Sequence, residues 1–175
     1  EEREAQIKNL SAVFKTIAEE VLPALRRSRL ILTTDLIGKS DDEIAALAKN
    51  DAAALNVEEL LYAATLTCNL DEKAAIYKKA VAQFGNDYRS HNNLGMVYFA
   101  QGNVAEARRS FAKALTLAPN NADVNYNAGI AAMAENDVKQ AEQYLGKAAG
   151  TAGDINAAMG TLYTMKGDYA AAKNA

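Results

Sequence analysis

The 175-residue chain has no tryptophan, one histidine, one cysteine and two prolines. A structural or catalytic metal centre built from imidazole and thiolate needs three or four such ligands, so His91 and Cys68 do not make one, and no cofactor is called for. An internal disulfide needs a second cysteine, so Cys68 has no partner in the chain. It stands in Leu66-Thr67-Cys68-Asn69-Leu70, which reads as a joint between two helices, and its thiol reads as a packing or surface group. An excess of one charge is also missing. Lys and Arg number 19 against 22 Asp and Glu, a formal net charge of -3. The charges are interspersed, which speaks against a nucleic-acid partner. No apolar run approaches the roughly 18 residues a membrane-spanning helix needs. What is abundant is apolar: 50% of residues, many of them alanine. With so little proline, that is the make-up of a mainly α protein with short inter-helix loops.

Catalysis finds little to work with. A triad on His91 would draw on Ser90 and Asp87, but neighbours one and four residues away at a helix start do not by themselves make that geometry. Asp41-Asp42 and Glu58-Glu59 are better explained as negative charge at helix N-termini, facing the positive end of the dipole. Gly95, Gly102, Gly129 and Gly160 are spaced by a repeat and follow no strand, so they are not a phosphate loop. The expectation is a protein that is not an enzyme.

The repeat itself is clearest between Tyr88 and Asn121. It reads His91-x-x-Leu94-Gly95-x-x-Tyr98, then Ala107-x-x-x-Phe111-x-x-Ala114, then Pro119. Gly95 and Ala107 lack bulk and allow two helices to approach; Tyr98 and Phe111 fill the space beside that contact, and Pro119 stops the second helix. Thirty-four residues on, Gly129, Ala141, Leu145 and Ala148 take the places of Gly95, Ala107, Phe111 and Ala114. A further 31 residues carry the pattern onto Met159-Gly160-x-x-Tyr163, with Ala149–Gly153 replacing the proline joint. Backwards, Tyr77 and Ala80 match Phe111 and Ala114, but Leu61 replaces the glycine and Lys73 the alanine. This pattern resembles the tetratricopeptide repeat (TPR), a helix–turn–helix unit of 34 residues. It departs in one place, since His91 stands where a large apolar residue is usual.

The resemblance implies a TPR-type α-solenoid of antiparallel helix pairs over residues 54–175, divided at about 54–87, 88–121, 122–152 and an incomplete 153–175. The helices read as about 57–67, 71–83, 88–101, 104–117, 122–135, 138–149, 155–166 and 168 onward. Asn86-Asp87, Asn120-Asn121 and Gly102-Asn103 supply turns.

Residues 1–53 read differently, as a helix–strand–helix segment and the tail of a preceding domain. Ile7, Leu10, Phe14, Ile17 and Val21 lie on one face of a helix over Glu1 to about Leu22. Arg26-Arg27-Ser28-Arg29 reads as a solvated entry to the one β-branched, alternating segment, Leu30–Ile37, which predicts a strand. A strand needs a partner for its backbone groups. The partner lies in a missing N-terminal part, or in a second copy, or the segment packs extended along helices. Both termini look cut, which predicts a fragment of a longer protein. Ser40-Asp41-Asp42-Glu43 is a capping box opening a helix to about Lys49, with Ile44, Leu47 and Ala48 inward. Asn50 to Asn56 connects it to the repeats.

In TPR proteins the first helices of successive units line a ligand-binding groove. The resemblance therefore implies a binding face made by Glu58, Tyr62 and Thr65; Arg89, Asn92, Asn93, Met96 and Phe99; Asp123, Tyr126, Asn127, Ile130 and Met133; and Ala157, Thr161 and Thr164. Amide side chains there suit a peptide backbone, while methionine and aromatics suit adaptable apolar contacts; packing between helices is the alternative role for Met96, Ile130 and Met133. The implied partner is a protein or peptide. Some TPR domains hold a C-terminal carboxylate with a Lys, Asn, Asn, Lys, Arg set. The matching positions here are Glu58, Tyr62, Asn93, Asp123 and Asn127, of which only Asn93 fits, so that clamp is not expected.

Three further segments, Glu2–Asn9, Leu22–Ser28 and Asn56–Ala64, resemble TPR-containing, OmpA-like outer-membrane and cell-envelope proteins of Gram-negative bacteria. That resemblance implies a periplasmic or outer-membrane-associated location. The functional expectation is a protein-interaction scaffold. The alternative is a self-assembly module, a homodimer whose contact is the Leu30–Ile37 strand or the C-terminal repeat face.

Overall fold

The computed structural model describes residues 12, 13, 15, 16, 38–149 and 155–175. The chain divides into two compact units, Glu1–Gly38 and Lys39–Ala175. In the first, Ala12, Val13, Lys15 and Thr16 are helical, and the Thr16 hydroxyl donates to the Ala12 carbonyl at 3.1 Å. The predicted Leu30–Ile37 strand and the apolar stripe from Ile7 to Val21 lie outside the described residues.

Within the second unit all regular structure among the described residues is helical. The order is α1 Asp41–Asn50, a 3-10 turn Ala52–Ala54, α2 Val57–Ala63, α3 Leu70–Gln83, α4 Tyr88–Ala100, α5 Val104–Leu117, α6 Ala122–Ala134, α7 Val138–Ala148, α8 Asn156–Lys166 and α9 Tyr169–Asn174. Each helix packs on its neighbours in sequence, and α4 also meets α6. That is the arrangement of stacked helix pairs.

The starts of these helices are written in side chains. Asn69, Asp87, Asn103, Asn121, Asp137 and Asp168 each accept a hydrogen bond from a first-turn backbone N–H, satisfying donors that have no partner inside the helix. The expected capping box at Ser40 is formed, with Ser40 N donating to Glu43 Oε2 at 2.8 Å and Glu43 N to Ser40 Oγ at 3.3 Å. A second box at Asn56 and Glu59 opens α2, with both bonds at 2.9 Å. The sequence reads Asn56 as the end of the connection into the repeats, although Asn56 and Glu59 carry the same four-residue signature.

Small residues set the spacing within pairs. A Cβ at Gly95 would lie 2.6 Å from Phe111 Cε1, and one at Gly129 would lie 2.8 Å from Leu145 Cγ. The α4/α5 and α6/α7 pairs are thus locked by a large side chain seated on a glycine. At Gly160 the nearest atoms, the Ala172 carbonyl oxygen and Ala175 Cβ, are 3.6 and 3.9 Å away.

The turns within pairs repeat one backbone trick. Gly102, Asn136 and Gly167 sit at φ of 77°, 60° and 75°, the left-handed region that glycine enters freely and asparagine tolerates. The corresponding position in the first repeat is Cys68, which is not left-handed: Asn136 is the one non-glycine with positive φ among the described residues. Here expectation and structure differ. The first helix was expected to run from 57 to 67 but ends at Ala63. Its backbone unwinds through bonds from Thr65 N to the Tyr62 carbonyl and from Leu66 N to the Ala63 carbonyl, at 2.8 and 3.2 Å. Thr67 then carries the chain to α3, donating to Glu72 Oε2 at 2.7 Å and accepting from Asn69 N at 3.1 Å. Without glycine or asparagine at position 68, the compact turn is closed to this repeat.

The boundary between compact units falls ahead of the 53/54 position read from the sequence, because α1 belongs with the repeats. Ile44, Ala48, Ala52 and Leu55 are buried in one cluster with Leu60, Ala63, Tyr77 and Leu94. Lys79 Nζ donates to the carbonyls of Ala48 and Lys49 at 2.7 and 2.9 Å, satisfying acceptors at the negative end of α1. Lys39 pairs with Glu59 at 2.8 Å and Tyr62 Oη donates to Asp41 at 3.0 Å. The Lys39 ammonium, with the Asn56 amide, holds the Glu59 carboxyl below its ordinary range.

His91 has a structural explanation. Its Nε2 lies 2.9 Å from the Gly85 carbonyl. One repeat later, Asn125 Nδ2 donates to the Pro119 carbonyl at 3.0 Å and the Asn121 carbonyl at 2.8 Å. Gly85 and Pro119 are equivalent positions in the joints between repeats. A buried polar side chain at the fourth position thus ties down the joint before it, and exposed joint backbone is replaced by a paired carbonyl.

Candidate functional site

The residues predicted to form a binding face occupy α2, α4, α6 and α8, except Thr65 in the turn after α2, and several meet across helices. From α4, the Arg89 guanidinium grips Glu58 of α2 with two bonds, Nη2–Oε1 at 2.8 Å and Nη1–Oε2 at 3.1 Å. It also holds Asp87, the N-cap of its own helix, with Nε–Oδ1 at 3.0 Å and Nη2–Oδ2 at 2.6 Å. That guanidinium keeps the Asp87 carboxyl below its ordinary range, and the two carboxylates raise the Arg89 pKa further. Asn127 of α6 donates to Asn92 Oδ1 of α4 at 3.0 Å, and Asn92 in turn lies 3.4 Å from Asn93 Oδ1. Consecutive first helices are therefore stitched by residues from the predicted set.

Their availability to a ligand differs. Tyr62 and Met96 are 45% and 43% exposed, and Glu58, Thr65, Asp123, Ala157, Thr161 and Thr164 are also exposed. Thr161 and Thr164 turn their hydroxyls back onto the Ala157 and Gly160 carbonyls, both at 2.8 Å. Asn92 is only 8% exposed. Phe99 packs on the cluster of Ala107, Phe111, Ala128 and Ala131. Tyr126, Ile130 and Met133 pack on Ala132, Leu145 and Leu162. Asn93, Arg89 and Asn127 are half-buried.

A pocket of about 290 Å³ adjoins Asn93 and Met96, and its other wall is α3, with Leu70, Lys73 and Tyr77. Burial raises the Tyr77 phenol, and a hydrogen bond with Asn93 opposes that shift. Neither Lys73 nor Tyr77 was among the predicted residues, which were drawn from first helices alone. The signal for Lys73 was present, since it is the residue that breaks the small-residue pattern at the Ala107 position. Among the described residues no group of three or more His, Cys, Asp or Glu is placed to hold a metal ion. No described helix is long and apolar enough to cross a membrane.

Stacked antiparallel helix pairs locked by a glycine and a large apolar residue define a helical-repeat architecture. Residues 88–121 match the family model described as tetratricopeptide repeat; the chain carries a TPR. Three-dimensional comparison agrees. The chain resembles the crystal structure of MamA at 21% identity and a TM-score of 0.64, over 77% of this chain and 81% of that one. It resembles pilF of Pseudomonas aeruginosa at 23% identity and 0.59, over 77% and 63%. It also resembles the Yersinia enterocolitica type III secretion chaperone SycD, solved in complex with a peptide of the translocator YopD, at 16% identity and 0.50, over 78% and 95%. At these identities the likeness is one of fold. No curated protein matches the chain significantly. An OmpA-like region is not among these findings.

Proposed function

We propose that this protein is a non-enzymatic interaction scaffold that holds a peptide or protein segment along the first-helix face of its repeats. The observation that carries the reading is the juxtaposition of predicted face residues from α2, α4 and α6 through the Glu58–Arg89 and Asn92–Asn127 contacts. Beside those contacts the face presents an exposed aromatic, an exposed thioether and an amide at Tyr62, Met96 and Asn93. Such a mixture serves backbone recognition and adaptable apolar contact together. That SycD, a neighbour in fold, was solved with a peptide is in keeping with it. A location in the bacterial cell envelope is proposed on the sequence resemblance of Glu2–Asn9, Leu22–Ser28 and Asn56–Ala64 to envelope proteins.

Selection from a displayed random-peptide library tests the reading. Enriched clones are expected to bind the chain and to lose about tenfold or more in affinity for an Asn93→Ala, Met96→Ala double variant, as interface anchors do. Clones that bind both forms equally, or a selection that enriches nothing, would count against it.

A further inference from the structure

The first repeat departs from the second at several positions. Lys73 replaces Ala107, Ala64 and Thr65 replace Tyr98 and Phe99, and α2 stops at Ala63 whereas α4 runs on to Ala100. In the second repeat Ala107 and Phe111 are buried and Tyr98 and Phe99 pack on them, and the pocket beside Phe111 is only about 60 Å³. In the first repeat the aromatic pair is gone and the helix that would carry it has ended. A pocket of about 290 Å³ lies one helix on, between Leu70, Lys73 and Tyr77 of α3 and Asn93, Met96 and Val97 of α4, and of these departures Lys73 lines it. Ligand pockets for whole small molecules run from roughly 300 to 1,000 Å³, so this one suits a side chain or two.

Its chemistry is a mostly apolar lining with a cation. Leu70, Val97 and the exposed Met96 supply apolar contact, and Lys73, a partly buried residue, supplies the charge. Among the described residues Lys73 has no carboxylate partner, because the acids beside it are already engaged. Asp71 accepts from Gln101 at 2.8 Å. Glu72 accepts from Thr67 at 2.7 Å and pairs with Lys49 at 3.4 Å. An ammonium without a carboxylate partner at the wall of an apolar pocket gains a charge-assisted hydrogen bond from an incoming anion.

We propose that this pocket is the specificity site of the scaffold and takes a peptide in which an aliphatic or aromatic side chain stands next to an Asp or Glu. The apolar side chain enters against Leu70, Met96 and Val97, and the carboxylate meets Lys73. The assignment rests on the scaffold reading given above, and adds to it the class of segment recognised.

The chain's four methionines provide the test, since Met96 lines the pocket while Met133 lies on the first-helix face away from it. Protein labelled with ¹³C at the methionine methyls is titrated with a capped hexapeptide, Gly-Ser-Leu-Asp-Ser-Gly, followed by NMR. The Met96 methyl is expected to shift saturably. Replacing Asp by Asn in the peptide, or Lys73→Gln in the protein, is expected to weaken binding by about tenfold, the scale of one charge-assisted hydrogen bond. Lys73→Arg is expected to retain it, and Ala for Leu in the peptide to lose it. A Met96 shift indifferent to the carboxylate or to Lys73→Gln would overturn the proposal. A shift at Met133 with Met96 unmoved would overturn the pocket and leave the scaffold reading standing. No shift at any of the four would count against both.

Discussion

The first and second repeats share a period and a handful of core residues, yet they make different objects. In the second, Gly95 receives Phe111, Gly102 turns the chain in a left-handed conformation, and α4 and α5 meet along their length. In the first, Leu61 occupies the glycine position, Tyr77 faces an open pocket, Cys68 stands where the turn needs glycine or asparagine, and the helix ends at Ala63. A missing glycine or asparagine at position 68 changes the turn and goes with a shorter helix, and one helix on a hollow lies beside a lysine, between α3 and α4. The lesson is that degeneracy in a repeat protein is not evenly distributed noise: here the departures from pattern coincide with the one place where the described surface combines a pocket, an unpartnered cation and an exposed methionine.

The sharpest way to break this comparison is to truncate the matching aromatics. Phe111→Ala is expected to cost about 3–5 kcal/mol, the range for emptying a closed aromatic site. Tyr77→Ala is expected to cost clearly less, because the pocket its ring borders is about 290 Å³ against about 60 Å³ beside Phe111. Urea denaturation of both variants decides it, and equal losses would mean that the first repeat is packed as tightly as the second.

Next in size come the joints. His91→Ala leaves the Gly85 carbonyl without its ring partner and Asn125→Ala does the same to Pro119, each expected to cost about 1–3 kcal/mol. His91→Asn, which imports the residue of the following repeat, is expected to recover part of the loss. Full stability of His91→Ala would show that the joint is held by packing alone.

The smallest effect addresses the turns. Gly102→Ala forces a side chain into the left-handed region and is expected to cost about 1–2 kcal/mol, whereas Cys68→Ala is expected to stay within about 0.5 kcal/mol of the parent. Thermal melts of the pair suffice. A Cys68→Ala penalty equal to that of Gly102→Ala would mean that the two turns are alike after all.

Much of the second repeat was legible before any coordinates. Gly95, Ala107, Phe111 and Ala114 state a helix pair because only that spacing of small and large residues interdigitates, and Ser40 with Glu43 states a helix start through two local hydrogen bonds. The Asn56–Glu59 box carried the same signature and was passed over. The candidate face was legible only as a list of positions. Helical register predicts which residues share a side, and allows Ile130 and Met133 to pack between helices, but not that Arg89 would be spent on Glu58 and Asp87 or that Asn92 would be buried beneath Asn127.

What the sequence determined by itself was therefore local and periodic: where helices start, which residue gives way to which, and that pairs stack. These follow from interactions within a few residues or within one repeat. What only the tertiary structure decided was the placement of α1 against the repeats through Lys79 and Lys39, and the pocket shared by Lys73, Tyr77, Asn93 and Met96. Each of those depends on contacts between residues some twenty or more apart, whose energies no single segment contains.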